Sequence, residues 1–116
     1  MSGVKITVGG KFEDEAANRF VDTWHRAERG ETFHERHLAF ESWDALQRTL
    51  TAKRMEILRY VRRHRVKSVR ALAKALARDY ANVHADVQAL KAAGLIDATD
   101  EGMRADYDAI ETKIAI

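Results

Sequence analysis

Not one residue of this chain is a proline. At ordinary usage of about 5%, a chain of 116 residues would hold around six. A proline removes one i→i−4 hydrogen bond and clashes with the preceding turn, so its absence leaves helical stretches unbroken. The six glycines are then the available punctuation. We therefore expect a mainly α chain with a small β component. Hydrophobic residues at 46% can build a core, which excludes a disordered tail.

Cysteine is also absent, which excludes a disulfide framework, a thiol nucleophile and cysteine-ligated zinc. No apolar run approaches the roughly 18 residues of a membrane span, and Met1-Ser2-Gly3-Val4-Lys5-Ile6 carries no signal-peptide core. The expectation is a soluble cytoplasmic protein with no membrane association.

The net charge of +2 conceals a strong segregation. Residues 1–50 hold seven Lys/Arg against nine Asp/Glu, and residues 79–116 hold three against eight. Between them, residues 51–78 carry ten basic side chains and one acid, Glu56. A block of that sign is a localised field that attracts polyanions.

Apolar periodicity divides the chain further. Val4, Ile6 and Val8 alternate with Lys5 and Thr7, which predicts a strand ended by Gly9-Gly10. Residues 13–28 place Ala16, Ala17, Phe20, Val21, Trp24 and Ala27 at helical spacing, with Gly30 as the C-terminal cap. His37-Leu38-Ala39-Phe40-Glu41 fits a second short strand, and Ser42 an N-cap for a short helix with Trp43, Leu46 and Leu50. Thr51 opens a helix to about His64, Ser68 caps one over 69–77, and Asp79 caps a third that runs to Ala93 and closes at Gly94. Leu95-Ile96-Asp97 and Met103-Arg104-Ala105 flank a polar turn, as in a β-hairpin. Ile110 to Ile116 alternates again and suits a strand pairing with Val4–Val8.

Helix, short helix, turn, helix and hairpin over 51–105 is the order of a winged helix-turn-helix. At roughly 100° per residue, Val83, Val87 and Leu90 of the third helix fall within about 60° of one another and define its inner stripe. Ala81, Ala85 and Gln88 face the other way, flanked by Asn82 and His84. Small residues let a helix approach a groove floor closely. Asn, Gln and His side chains bond base edges, Asn and Gln being suited to adenine. Asp86, beside the inner stripe, would repel phosphate, so we expect it to pair with a basic residue of a neighbouring helix.

Four stretches carry a resemblance: Thr51-Ala52-Lys53-Arg54-Met55-Glu56-Ile57-Leu58-Arg59, Ser68-Val69-Arg70-Ala71-Leu72-Ala73, Arg78-Asp79-Tyr80-Ala81-Asn82-Val83-His84-Ala85-Asp86-Val87, and Leu90-Lys91-Ala92-Ala93-Gly94-Leu95-Ile96. With Phe20 to Gly30 and Leu38 to Ser42, the chain resembles the prokaryotic MarR-like winged-helix family of transcriptional regulators, also described as the helix-turn-helix domain of antitoxins. The resemblance implies sequence-specific DNA binding, usually as a dimer, and autoregulation beside a toxin gene. The turn Asp97, Asp100, Glu101 departs from the basic wing of such proteins and leaves Arg104 as its only cation.

Other chemistries have little behind them. His34-Glu35-Arg36-His37 has the i, i+3 spacing of a helical metal pair, but no Glu-x-x-His repeat accompanies it. No phosphate loop, nucleophile elbow or catalytic carboxylate pair occurs. We expect no enzyme activity, no cofactor and no metal. The expected organisation is a strand-helix scaffold and dimerisation element over 1–50, a winged helix-turn-helix over 51–105, and a C-terminal strand over 106–116. The partners expected are double-stranded DNA and a second copy of the chain. In the rival reading, helix 13–28 clamps a toxin and DNA binding is secondary. Asn82, His84 and Gln88 would read bases, Ala81 and Ala85 would permit approach, and Ser68, Arg70, Lys74 and Arg78 would hold phosphates. Tyr80, Lys91 and Arg104 complete the candidate DNA-binding set.

Overall fold

The computed structural model describes residues 2–9 and 34–116. The amphipathic helix expected over 13–28 lies outside the described residues. The fold is a mixed α/β arrangement, with four helices and five strands among the described residues. They divide into two compact units, residues 1–46 with 107–116, and residues 47–106.

The first unit is built on a parallel sheet of order β2-β1-β5, formed by β1 (Ser2–Val8), β2 (His34–Phe40) and β5 (Ala109–Ile114). The alternation of β1 decides its burial: Val4, Ile6 and Val8 are all but sealed from solvent. In register with them stand Arg36, Leu38 and Phe40 of β2 and Ile110, Thr112 and Ile114 of β5. Lys5 and Thr7 belong to the other face, where Lys5 Nζ lies 3.4 Å from Glu35 Oε1.

This sheet revises two expectations. The lack of proline favours helices, yet a strand flanked on both sides needs its N–H groups equally and excludes proline for the same reason. His34 to His37 lie in β2, so the helical spacing that would make them a metal pair does not apply. His37 Nε2 instead lies 3.4 Å from Glu35 Oε2.

The helices are α1 (Trp43–Thr49), α2 (Ala52–Arg63), α3 (Val69–Ala75) and α4 (Tyr80–Ala92). Side chains close their N-termini as the sequence predicts. Ser42 Oγ accepts from Ala45 N, Thr51 Oγ1 from Arg54 N, Ser68 Oγ from Ala71 N and Asp79 Oδ2 from Asn82 N. In the second unit, Ile57, Leu58 and Val61 of α2, Leu72 and Ala73 of α3, and Val83, Val87 and Leu90 of α4 form the core with Val66, Leu95 and Ile96. None of the helices formed by described residues is long and apolar enough to cross a membrane.

The end of α3 departs from expectation. The helix stops at Ala75 rather than running to residue 77, because Ala77 adopts φ 53°. Ala77 N donates to Lys74 O and Arg78 N to Ala73 O, the paired bonds of a Schellman turn. Gly94 (φ 84°) ends α4 with the same pattern, Gly94 N to Lys91 O and Leu95 N to Leu90 O. Glycine takes that conformation at no steric cost, whereas alanine does not.

The hairpin consists of β3 (Asp97–Thr99) and β4 (Gly102–Arg104) around a two-residue turn at Asp100-Glu101. Its first strand begins later than expected because Leu95 and Ile96 are spent in the core. Val66, between α2 and α3, bridges to Met103, and Met103 N donates to Val66 O at 2.9 Å. Gly102 (φ 124°) makes that approach possible: a Cβ there would lie 2.2 Å from Val66 O.

Candidate nucleic-acid interface

α4 divides cleanly by side. Val83, Val87 and Leu90 are at most 1% exposed, while Ala81, Asn82, His84, Ala85, Gln88 and Lys91 are all exposed. Asp79 commits its carboxylate to the first turn as the N-cap.

Asp86 is turned inward and clamped from two directions. Arg54 Nε donates to its Oδ1 at 3.1 Å and Arg78 Nη2 to its Oδ2 at 2.9 Å. Arg54 also donates through Nη1 to the carbonyls of Arg48 and Thr49, which ties the last turn of α1 to α4. The one acid on the body of α4 is thereby neutralised and withdrawn from the exposed side. The expected partner was a helical cation. Arg54 is one, but Arg78 comes from the turn between α3 and α4.

Arg78 is thus engaged with Asp86 rather than standing open on the exposed side. Its side chain is 18% exposed and its charge is balanced by Asp86. Its Nη1 is buried and has no hydrogen-bond partner among the described residues. Arg54, absent from the candidate set, does equal work. Its position one helical turn before Ile57 and Leu58, on the border of the inner face of α2, was the available signal.

Ser68, Arg70, Lys74 and Tyr80 are exposed. Ser68 Oγ accepts the capping bond and keeps its own proton free to donate. The guanidinium carbon of Arg70 lies 5.1 Å from the ring centre of Tyr80, and the Tyr80 and His84 rings are 5.8 Å apart. A cation of α3 is thus joined through an aromatic ring to the polar side of α4. These contacts put the start of α3 and the first half of α4 on one continuous exposed surface.

Arg104 is exposed but engaged, with Nη2 3.5 Å from Glu101 Oε2 and Nη1 4.0 Å from Asp106 Oδ2. The hairpin is less isolated from positive charge than its own sequence suggests. A cleft of about 280 Å³ beside it is lined by Arg62, Arg63, Arg65 and Arg104 together with the acids Glu101 and Asp106. In the sequence the first three stand only as members of the basic block. The bridge of Val66 to Met103 is what gathers them at the hairpin.

The family model HVO_A0114 matches residues 49–112, more than half of the chain. The chain belongs to the HVO_A0114 family. The HVO_A0114 match takes in α2, α3, α4, the hairpin and β5 as far as Thr112, so it holds the clamp on Asp86 and the exposed side of α4 together. No curated protein and no solved structure matches the chain.

Proposed function

We propose that this chain is a sequence-specific double-stranded DNA-binding transcriptional regulator of the MarR-like winged-helix kind. Residues 51–105 act as the winged helix-turn-helix and α4 as the recognition helix in the major groove. The observation that carries this reading is the exposed surface joining Arg70, Tyr80 and His84, with Asp86 withdrawn from it. Asn82, His84 and Gln88 read base edges, and Ala81 and Ala85 let the helix sit close to them. Ser68, Arg70 and Lys74 hold phosphates and set the register. Tyr80 orients Arg70, and Lys91 reaches the backbone from the last turn of α4. Arg62, Arg63 and Arg65 bring positive charge beside the acidic turn of the hairpin, where Arg104 is itself paired with Glu101 and Asp106.

Two protomers related by a two-fold axis would read half-sites about one helical turn apart, roughly 34 Å. A gel shift with the DNA upstream of the chain's own gene, at two salt concentrations, tests the reading. The expected result is a complex that resists unlabelled nonspecific duplex and weakens steeply with salt. Equal competition by any duplex would contradict sequence-specific reading.

A further inference from the structure

We propose that β5 is a dimer edge: two copies of this chain pair antiparallel through β5 about a two-fold axis at Thr112. Their three-stranded sheets would join into one, in the order β2-β1-β5-β5-β1-β2. This inference stands independently of the DNA-binding reading.

β5 is an edge strand, and among the described residues no strand pairs with its outer side. Ala115 N donates to Val8 O, so the alternation of a parallel ladder turns the backbones of Ala109, Glu111, Lys113 and Ala115 toward β1. The N–H and C=O groups of Ile110, Thr112 and Ile114 consequently face the open edge. An unpaired row of that kind is a template for another strand unless something guards it.

Nothing in the strand guards it against its own copy. Ala109-Ile110-Glu111-Thr112-Lys113-Ile114-Ala115 reads nearly the same in both directions about Thr112, with Glu and Lys exchanged. In the antiparallel register centred there, Ala109 meets Ala115, Ile110 meets Ile114, and Glu111 meets Lys113, each twice by symmetry. The three outward-facing positions fall opposite one another, so each pair can exchange two hydrogen bonds, about six in all. Lys113, which would ordinarily deter edge pairing, finds an acid opposite it. Ile114, 45% exposed, gains Ile110 of the second copy as a cross-strand neighbour on the face it shares with Val8. β2, at the other edge, has no such symmetry: pairing it with itself about His37 sets Arg36 against Leu38 and Glu35 against Ala39.

Sedimentation velocity of the full chain over a concentration series tests the proposal. The wild-type chain should reach twice its 13.2 kDa. Lys113→Glu or Glu111→Lys alone sets like charges opposite each other at both symmetric positions and should weaken the dimer about tenfold. The double exchange Glu111→Lys with Lys113→Glu restores opposite charges and should restore the dimer. Thr112→Pro removes an N–H that serves only the open edge, and should yield a folded monomer. A wild-type chain that stays monomeric would overturn the proposal. So would a dimer that survives Thr112→Pro, or one that the double exchange weakens as much as the single ones.

Discussion

Asp86 accepts a 2.9 Å hydrogen bond from Arg78 across the turn that joins α3 to α4. With Arg54 on its other oxygen, one carboxylate holds two guanidiniums whose side chains are 18% and 19% exposed. That arrangement fixes the helix pair and removes the only repulsive charge from the body of the proposed reading helix. Asp86→Ala should destabilise the chain by about 1–3 kcal/mol, because two largely desolvated cations lose their counter-charge while solvent still screens them in part. Urea unfolding measures this directly, and an unchanged midpoint would mean that the clamp contributes nothing.

Ala77 occupies the left-handed region at φ 53° to close α3. Glycine there relieves a backbone cost of about 1–2 kcal/mol, partly offset by its freer unfolded chain. Ala77→Gly should therefore raise stability by about 0.5–1 kcal/mol. A lower thermal midpoint for that variant would show that the turn carries no strain.

Gly102 should tolerate no side chain. A Cβ at 2.2 Å from Val66 O must displace backbone, and the φ of 124° is strained for any other residue. Gly102→Ala should cost about 2–3 kcal/mol and detach β4 from Val66. Hydrogen exchange at the Met103 amide reads the second effect, since that N–H donates to Val66 O. Unaltered protection would contradict it.

The helices of the second unit were legible because each begins with a side-chain cap and carries one apolar stripe: Thr51, Ser68 and Asp79 all cap as their positions imply. The inward turn of Asp86 was legible too, from its place beside Val83 and Val87. The end of α3 was not, because alanine gives no signal of a left-handed turn and the C-terminal glycine that marks α4 has no counterpart at residue 77. The destination of Arg78 followed from that turn and was hidden with it. β1 and β5 showed in their alternation, whereas β2 was expected only from His37 to Glu41 and begins at His34, because its charged first half does not alternate; alternation carries no direction, so the parallel pairing was not readable. The arginines beside the hairpin were visible only as charge, since the bridge of Val66 to Met103 joins residues far apart in the chain.

Arg70 and Arg78 should separate cleanly in DNA binding. Arg70→Ala should weaken binding to all duplexes and reduce the slope of log K against log salt by about one. Arg78→Ala should leave that slope unchanged and lower stability instead, because its charge is already balanced by Asp86. Titrations by fluorescence anisotropy at several salt concentrations distinguish the two. Equal slopes for Arg70→Ala and the wild-type chain would remove Arg70 from the phosphate contacts.

The central claim is that the exposed side of α4 reads bases. Selection from a pool of random duplexes, run in parallel with the wild-type chain and with Asn82→Ala, tests it most directly. The wild-type chain should enrich a defined half-site. Asn82→Ala should relax preference at one position, with a loss of about 1–3 kcal/mol there, and keep the rest. No enriched sequence from the wild-type chain, or a uniform loss across all sequences from Asn82→Ala, would contradict the claim.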